Sequence, residues 1–536
     1  MNRINIFSGK FGSLVSLLFL SVITTSVYGQ QVDLRQSCSL LTNASLADTT
    51  ISSAEVVEAN SFTPPRANNP LGAPAFCRLV GVTSPAVNFE VWLPLDNWNG
   101  KYNGVGNGGM AGVISYGAMA GALNRGYATA STDTGHDADG GLFDASWASG
   151  RQDLIEDFGH RGLHVTTVNG KAITESFYNA APAYSYYTGC SKGGQMGLME
   201  AQRYPDDFDG IVAGDPANDW TRFYAGAHLW YSLAMLDNEQ EGWIPPAKMS
   251  AFGNAVNAAC DALDGIEDGI LQNPLACNFE PASIQCPTGV DNDSCLTPQQ
   301  VTAVENIWSG TTNSAGELIY PGLVPGGEAD PGGWGRWVSG AEPFSSLHWL
   351  GGEGFFRWFV FDDPEWNFRD FDYDADLEYA LEKVGPAVDS DNPDLRPLRD
   401  NGAKLLVYHG WSDPDISPVA SINYFESVVD VIADDMRAAN YDTALRSTQN
   451  FFRLFMVPGM GHCAGGPGPD RFDALSAMEN WVENGIAPDS IRASKIQNGV
   501  VTRSRPLCVF PEVATYSGTG NTDEAESFYC AAPAGP

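Results

Sequence analysis

The sequence predicts an α/β fold that carries a large insertion. Short apolar runs rich in β-forming residues recur along the chain, and a helical pattern at 195–204 follows one of them, as is typical of strands alternating with helices. Residues 217–402 lack this alternation and hold four of the ten cysteines and five Trp within 334–366. The predicted strands are residues 88–93, 127–132, 184–188, 208–213, 404–409 and 452–457.

The length of the chain supports the same division. Its 536 residues are more than one simple core accommodates, so two domains or one domain with an insertion are expected. We predict that 30–216 and 403–536 form one α/β domain and that 217–402 form an inserted domain.

The amino terminus is predicted to be a signal peptide over residues 1–29. Arg3 and Lys10 precede an apolar run at 14–23, and residues 27–29 place short side chains where signal peptidase accepts them. The alternative is a membrane anchor, but about ten strongly apolar residues are too few to span a bilayer. We expect a secreted or periplasmic protein.

The charge of the chain restricts its partners. Its formal net charge is −36, which repels nucleic acid phosphates and anionic membrane surfaces. We therefore expect neither nucleic acid nor a membrane among its partners.

Ten cysteines in an exported chain predict five disulfides. Proximity in sequence favours two pairs in the insertion, one in the tail and one near the amino terminus, and this leaves Cys190 and Cys463 for each other. The other expected pairs are Cys260–Cys277, Cys286–Cys295, Cys508–Cys530 and Cys38–Cys77.

A nucleophile motif follows the predicted strand 184–188. The run Gly189-Cys190-Ser191-Lys192-Gly193 fits the G-x-S-x-G pattern, in which a tight turn between a strand and a helix exposes the serine hydroxyl. The alternative is an ordinary glycine-rich turn. The motif predicts an α/β-hydrolase fold with Ser191 as the nucleophile and the insertion as a lid.

A serine nucleophile needs a base and an orienting carboxylate, which follow in the order acid, then histidine. His462 lies in a glycine-rich loop after a predicted strand, whereas His409 closes its own strand and is more typical of a structural neighbour. Asp413 lies on the first turn after another strand. We interpret Asp415, two residues on, as a turn or helix-capping residue.

Two cysteines adjoin these candidates. Cys190 directly precedes Ser191, and Cys463 directly follows His462. If the serine and histidine are within hydrogen-bond reach, their neighbours can meet disulfide geometry, with Cα atoms about 4.4–6.8 Å apart. Such a bridge would hold the nucleophile beside its base.

These residues resemble the tannase and feruloyl esterase family, whose catalytic Ser and His are joined through a disulfide between adjacent cysteines. The resemblance covers nearly the whole mature chain and rests on "GVGNGGMAG", "STDTGH", "GCSKGGQMGLMEAQRYPDDFDGIVAGDPA", "HGWSDP" and "PGMGHCAGGPG". It implies Ser191 as nucleophile, Asp413 as acid, His462 as base and a Cys190–Cys463 bridge. The family also includes a hydrolase of mono(2-hydroxyethyl) terephthalate.

An oxyanion hole needs two backbone N–H donors. Lys192, the residue after the nucleophile, is expected to supply one. The earlier "GNGG" loop is the candidate for the other, and the resemblance favours Gly108 or Gly109, with Gly109 preferred. The alternative for this loop is a flexible surface turn.

The segment "CDALDGIEDGIL" in the insertion is a candidate calcium loop. Its closely spaced carboxylates repel one another unless a hard cation neutralises them, although the spacing is not that of an EF-hand. A solvated acidic turn is the alternative. The resemblance implies a structural calcium here, and the candidate ligands are the carboxylates of Asp261, Asp264 and Asp268 with the carbonyls of Ile266 and Ile270.

The sequence thus predicts a secreted serine esterase that hydrolyses esters of aromatic acids, feruloyl, galloyl or related, through an acyl-enzyme. A terephthalate monoester hydrolase is the alternative within the family, and Arg336 or Arg357 would then supply a cation for the free carboxylate. An alternative of another class is a non-catalytic, calcium-stabilised secreted binding protein on a hydrolase fold.

Overall fold

The computed structural model describes residues 33–138 and 140–533, and the predicted signal peptide lies outside this part of the chain. Residues from Leu34 onward form one compact unit. Its centre is a nine-stranded sheet in the order β1-β2-β3-β5-β4-β6-β7-β10-β11. The strands of this sheet are β1 (Thr49–Val57), β2 (Phe76–Thr83), β3 (Val87–Pro94), β4 (Lys101–Val105), β5 (Ala128–Thr132), β6 (Tyr184–Cys190), β7 (Gly210–Gly214), β10 (Lys404–Gly410) and β11 (Phe452–Val457).

Two strand directions meet in this sheet. Strands β5, β4, β6, β7, β10 and β11 are parallel to one another, while β1, β2 and β3 are antiparallel, and β3 pairs antiparallel with β5. Three two-stranded sheets complete the β-structure. They pair β8 (Thr311–Thr312) with β9 (Leu318–Tyr320), β12 (Ser490–Gln497) with β13 (Val500–Cys508), and β14 (Val513–Tyr516) with β15 (Phe528–Ala531).

Helices cover the sheet, and the longest run lies between β7 and β10. Before β7 the helices are α1 (Leu34–Leu40), α2 (Tyr116–Asn124), α3 (Gln152–Glu156), α4 (Gly162–Tyr178) and α5 (Lys192–Arg203). Between β7 and β10 they are α6 (Trp220–Phe223), α7 (Trp230–Leu236), α8 (Pro246–Cys260), α9 (Pro298–Ser309), α10 (Trp334–Trp337), α11 (Leu347–Gly354), α12 (Ala375–Lys383), α13 (Gly385–Val388) and α14 (Arg396–Asp400). After β10 they are α15 (Pro418–Met436), α16 (Tyr441–Thr448) and α17 (Ala474–Asn484).

Shorter helical turns connect these elements. The π-helical stretches are Asp157–Arg161, Tyr224–Leu229 and Phe355–Phe361. The 3-10 turns are Leu41–Asn43, Ser146–Ala148, Asn238–Gln240, Asp261–Asp264, Pro274–Ala276, Pro281–Ile284, Phe368–Asp370 and Ala525–Ser527. Within the described residues, no helix has the length and apolar character that crossing a bilayer requires.

Alternate residues of the parallel strands enter opposite cores. Tyr187 packs into the core on one face of the sheet and Tyr186 into the core on the other. Leu405 and Leu406 divide in the same way. Successive side chains of a strand point to opposite faces, so strands covered on both faces read as continuous apolar runs. This explains why the apolar runs at 404–409 and 452–457 predict strands so closely.

The α/β prediction is confirmed: the sheet is mostly parallel and is covered by helices, and each predicted strand is present within three residues of its predicted ends. The segment 217–402, hereafter the insert, joins β7 to β10, which are direct neighbours in the sheet. Its status as a separate lid domain remains a prediction.

Candidate active site

Four strands deliver the site residues at one edge of the sheet. Ser191 follows β6, Asp215 follows β7, Asp413 follows β10 and His462 follows β11. These strands are parallel neighbours, so their carboxyl ends lie side by side. In open α/β sheets, ligands bind at this edge.

Ser191 occupies a strained turn between β6 and α5. Its φ is 65° and its ψ is −122°, in a region that non-glycine residues rarely occupy. A Cβ at Gly189 would lie 2.6 Å from the carbonyl oxygen of Gly193, so this flank of the turn admits only glycine. The backbone N–H of Ser191 donates to Gly214 O at 2.9 Å, which fixes the turn against β7.

Asp413 and His462 form the hydrogen-bonded pair that the sequence predicts. The His462 Nδ1 lies 2.8 Å from Asp413 Oδ2, and Asp413 Oδ1 accepts the backbone N–H groups of Asp415 and Ile416 at 2.8 and 3.1 Å. Burial alone would raise the pKa of Asp413, but the neighbouring His462 and His409 outweigh it and hold the pKa below its ordinary value. Asp413 is therefore an ionised, oriented partner of His462.

Three neighbouring carboxylates raise the pKa of His462. Burial alone would lower the pKa of His462, but the carboxylates of Asp413, Asp415 and Asp215 raise it to about 10. A positive imidazolium is therefore strongly favoured at this position.

The Cys190–Cys463 disulfide joins the two halves of the site. Its Cα atoms are 6.0 Å apart, and it spans a sequence separation of 273 residues. The remaining four bridges also pair as the sequence predicts. They are Cys38–Cys77, Cys260–Cys277, Cys286–Cys295 and Cys508–Cys530.

Asp215 is a site residue that the sequence reasoning missed. Its Oδ1 accepts the N–H of Gly410 at 2.7 Å, and its Oδ2 accepts the N–H of Cys463 at 2.9 Å. Burial raises its pKa to about 6. The carboxylate of Asp215 thus connects the ends of β7 and β10 to the loop of His462. Its position directly after an apolar run was the sequence signal that could have identified Asp215 as a site residue.

The interpretation of Asp415 as a turn or capping residue is wrong. Its side chain is buried and contacts imidazoles: Oδ1 lies 3.2 Å from His228 Nε2 and 3.3 Å from His348 Nε2, while Oδ2 lies 3.6 Å from His462 Nε2. The turn is instead held by Asp413. His409 is a structural neighbour, with Nδ1 2.7 Å from Ser421 Oγ.

The "GNGG" loop lies against the nucleophile helix. Gly193 N–H donates to Asn107 O at 2.8 Å, and Gly108 and Gly109 line the same cavity as Ser191. Gly109 has a φ of +55°, and a Cβ there would lie 2.5 Å from Leu142 O. The loop is therefore a fixed wall of the site rather than a flexible surface turn.

Lys192 opens α5, and its side chain is buried. Its Nζ donates to Phe158 O at 2.8 Å and to Gln195 Oε1 at 2.5 Å, and it lies 3.9 Å from the centre of the Phe158 ring. Burial holds the pKa of Lys192 well below its ordinary value. The side chain thus anchors the first turn of the helix, whose N-terminal backbone lies beside the nucleophile.

Ser191 and His462 line one cavity of about 560 Å³. One part of its wall is aromatic, and part of this wall comes from the insert. The aromatic lining residues are Phe143, Trp220, Phe223, Tyr224 and Trp337. Trp337 lies edge-on to His462, with ring centres 5.1 Å apart. The arrangement suits a planar apolar group held beside a nucleophile.

The two candidate cations of the insert are in different places. Arg336 lines the cavity together with Lys495 and Asp330. Arg357 forms an ion pair with Glu353 and does not line this cavity. Among the described residues, Arg336 has no carboxylate within ion-pair distance, whereas Lys495 is paired with Asp470 at 3.2 Å.

The acidic loop of the insert folds around a second, much smaller cavity. Asp264, Ile266, Asp268 and Ile270 line it, whereas Asp261 accepts the N–H of Gly269 at 2.9 Å. Partial burial, with Asp268 and Asp261 nearby, raises the pKa of Asp264 to about 6. Carboxylate and carbonyl oxygens are the donors that a hard divalent cation takes, although Arg505 lines the same cavity and is already paired with Asp268.

Comparisons with known proteins agree with this geometry. Residues 71–531 match the family described as tannase and feruloyl esterase. The chain is 40% identical to an uncharacterized esterase of Xanthomonas campestris pv. campestris, over 92% of this chain and 91% of that one. It is 32% identical to feruloyl esterase B of Aspergillus niger, over 82% of this chain and 83% of that one.

Solved structures also resemble this chain over most of its length. The crystal structure of feruloyl esterase B from Aspergillus oryzae superposes with a TM-score of 0.83 at 30% identity, covering 93% of this chain and all of that one. The tannin acyl hydrolase from Aspergillus niger superposes with a TM-score of 0.75 at 24% identity, over 93% of this chain and 96% of that one, and this likeness concerns the fold.

Proposed function

Because the chain belongs to the tannase and feruloyl esterase family, and is therefore a carboxylic ester hydrolase, we propose that it is a secreted serine esterase acting on esters of aromatic carboxylic acids. The observation that carries the proposal is the meeting of Ser191 and the Asp413–His462 pair at one cavity with aromatic walls. The sheet order and the turn at Ser191 support an α/β-hydrolase fold for this chemistry.

In the first step of the proposed reaction, Ser191 Oγ attacks the ester carbonyl carbon. As the new C–O bond forms, the hydroxyl proton passes to His462 Nε2, and the carbonyl electron pair moves onto oxygen. Asp413 holds the imidazole by its Nδ1–H and stabilises the positive charge without taking the proton. Collapse of the tetrahedral intermediate breaks the bond to the alcohol, whose oxygen takes the proton from Nε2.

Water then completes the cycle. His462 removes a proton from water, the resulting hydroxide attacks the acyl carbon, and the acid leaves as Ser191 recovers its proton. The oxyanion of each intermediate would be bound by the backbone N–H groups of Lys192 and Gly109. The hydrogen bond from Gly193 N–H to Asn107 O, which joins the first turn of α5 to the "GNGG" loop, supports this assignment.

Labelling with a fluorophosphonate tests the nucleophile directly. We expect the probe to attach to Ser191 and Ser191→Ala to abolish both labelling and ester turnover while its thermal unfolding remains normal. A binding protein on a hydrolase fold would remain unlabelled and would bind esters without cleaving them. Labelling at another residue would overturn the assignment.

The identity of the acid is tested by a panel of methyl gallate, methyl ferulate, chlorogenate and a terephthalate monoester. The aromatic walls favour the neutral aromatic esters. Arg336 favours a second candidate, the terephthalate monoester, because its guanidinium lines the cavity without a carboxylate partner among the described residues. Arg336→Gln should then raise KM for the anionic ester alone, whereas Arg357→Gln should not.

We further propose a structural calcium ion in the small cavity of the insert. Asp264 and Asp268 would supply carboxylate oxygens and Ile266 and Ile270 carbonyl oxygens, and Asp261 is the third candidate carboxylate of this loop. The ion would offset the burial of Asp264 and the charges of Asp268 and Asp261, which together raise the pKa of Asp264. Its role is to stabilise the loop, because these residues do not line the cavity of Ser191.

A further inference from the structure

A second histidine–aspartate cluster lies beside the proposed triad. His228, on the π-helical stretch Tyr224–Leu229, and His348, on α11, approach Asp415 from the insert. All three side chains are buried, and His228 and Asp415 also line the cavity of Ser191. Nothing in the proposed reaction uses them.

The two imidazoles share one oxygen of the carboxylate. His228 Nε2 and His348 Nε2 lie 3.2 and 3.3 Å from Asp415 Oδ1. This leaves Oδ2 turned toward His462 Nε2, at 3.6 Å. The nitrogen that must exchange a proton with Ser191 therefore faces a buried carboxylate, while the other nitrogen of the same ring binds Asp413.

Each contact favours a negative Asp415. Burial lowers the pKa of His228 to about 4, so this ring is neutral near pH 7 and acts as a hydrogen-bond donor. Burial alone would raise the pKa of Asp415, but the imidazoles of His228, His348 and His462 outweigh it and keep the group ionised. Asp415 is therefore a buried, ionised carboxylate that accepts a hydrogen bond from the neutral ring of His228 and lies 3.3 Å from His348 Nε2.

We propose that Asp415, oriented by His228 and His348, is a positioning residue that stabilises the imidazolium form of His462 by its negative charge beside Nε2. The proposal rests on the proposed function, in which His462 is the base. During acylation, Nε2 gains the proton of Ser191, and Asp415 stabilises the cation from the side opposite Asp413. Asp415 itself takes no proton, and the Nε2–H passes to the alcohol oxygen.

The same contact determines the pH above which His462 is unprotonated and can act as a base. Since a negative charge beside Nε2 favours the protonated ring, more alkaline solution is needed before His462 can accept a proton from Ser191. The charged groups near His462 are Asp413 and Asp415 from the loop after β10 and Asp215 from the loop after β7. On the insert side it faces Trp337, and the cavity wall further carries Asp330, Arg336 and Lys495.

The test is the rate of fluorophosphonate labelling of Ser191 from pH 5 to about 11.5, a range that extends beyond the expected pKa of His462 and requires no knowledge of the ester. For the unaltered protein we expect the acid limb of this profile to have its midpoint well above 6.5, the ordinary value of an imidazole. In Asp415→Asn the midpoint should move to lower pH by at least one unit, a tenfold change in the proton affinity of His462, and the alkaline plateau should fall.

Two further variants separate charge from structure. Asp415→Glu keeps the carboxylate, so its midpoint should lie closer to that of the unaltered protein than the midpoint of Asp415→Asn does. Asp133→Asn removes a different buried carboxylate, one that holds Asn88 and Gly135 and does not line the cavity, and it should leave the midpoint in place.

The results distinguish a charge effect of Asp415 from a purely structural role, and both from failure of the proposed function. A lower plateau in Asp415→Asn with an unmoved midpoint would mean that Asp415 only supports the fold, and would overturn the inference. So would a midpoint at or below 6.5 in the unaltered protein, a measurement that needs no variant to fold. Failure of Ser191 to label at any pH would instead overturn the proposed function.

Discussion

Three buried carboxylates surround His462, and each makes a different set of contacts. Asp413 binds Nδ1 at 2.8 Å, Asp415 faces Nε2 at 3.6 Å, and Asp215 accepts the N–H of Cys463 at 2.9 Å. The first orients the ring, the second acts on its proton-exchanging nitrogen, and the third fixes the backbone that carries it. Removing each carboxylate should therefore change a different measured property.

Asp413→Asn should reduce kcat by about 10⁴-fold, because an amide at this position favours the wrong tautomer of the base. The reduction is measured as steady-state turnover of the best ester in the panel, with thermal unfolding recorded to show that the variant is folded. His409→Gln is the matched comparison, since His409 also contacts Asp413 but lines no part of the cavity.

We expect His409→Gln to retain most of the activity. If it were as inactive as Asp413→Asn, the base would have to be reassigned. If Asp413→Asn retained high turnover while Asp415→Asn did not, Asp415 would be the orienting acid.

Single residues differ in how far the sequence could predict them. Ser191, Asp413 and His462 each follow a strand within a recognisable loop, so position along the chain was sufficient to predict that they lie at one edge of the sheet. The cluster of Asp415, His228 and His348 joins three elements that are far apart in sequence, and neither spacing nor periodicity records their meeting. Only the packing of the insert onto the sheet brings them together.

At the scale of elements, the site depends on how neighbouring strand ends are connected. The β6–α5 turn and the loop after β11 are joined covalently by Cys190–Cys463, and both contact the end of β7 through Gly214 O and Asp215. Two independent contacts therefore fix the nucleophile loop relative to the base loop.

Removal of this bridge should affect catalysis more than removal of another. We expect Cys190→Ala with Cys463→Ala to lower kcat/KM by about 100-fold, since small displacements of catalytic groups have effects of that size. In the chain-entropy picture, a closed loop this long also contributes about 5 kcal/mol to the stability of the folded state. Activity is measured at a temperature at which the variant is folded by circular dichroism.

The matched variant is Cys508→Ala with Cys530→Ala, which opens a loop with a separation of only 22 residues in the tail. We expect it to lower the melting temperature with little change in kcat/KM. Equal loss of activity in both double variants would show that the Cys190–Cys463 bridge has no special part in positioning the site.

The sequence predicted the buried parallel strands well and missed other elements. Strands covered on both faces are continuous apolar runs, such as 452–457, which is reproduced without change as β11. The hairpin of β12 and β13 was not predicted, because it is partly exposed and contains Lys495, Arg503 and Arg505 among its apolar residues. A local signal was nevertheless present, because Asn498-Gly499 joins the two strands with φ values of 50° and 78°, as in a two-residue hairpin turn.

At the scale of the whole molecule, the insert shares one hydrophobic core with the loops and helices that flank the sheet. Trp220, Phe355 and Phe359 of the insert are buried together with Phe158, which precedes α4, and Ile416, which follows β10. Burial of aromatic side chains at this junction contributes strongly to stability. The aromatic walls of the cavity are therefore extensions of the molecule's own core.

The acidic loop lies at another junction of the insert with the rest of the chain. Asp268 forms an ion pair with Arg505, and its carbonyl accepts a hydrogen bond from Arg503 at 3.1 Å; both arginines belong to β13. A calcium ion in this loop would therefore stabilise the contact between the insert and the carboxy-terminal part of the chain, at a distance from Ser191.

Removal of calcium should consequently lower stability more than catalysis. A ligand that binds only the folded state stabilises it by about 2.7 kcal/mol when its concentration is a hundred times its Kd, so chelation should lower the melting temperature by several degrees. Added calcium should restore it, whereas kcat at low temperature should change little.

Asp264→Ala should have the lower melting temperature both with and without calcium, because it removes a proposed ligand. Glu267→Ala is the matched control: Glu267 is an exposed acid of the same loop that does not line the small cavity, so its variant should still respond to calcium. If neither chelation nor Asp264→Ala altered the melting temperature, the loop would be a solvated acidic turn, and the contacts of Asp268 with Arg503 and Arg505 alone would hold it.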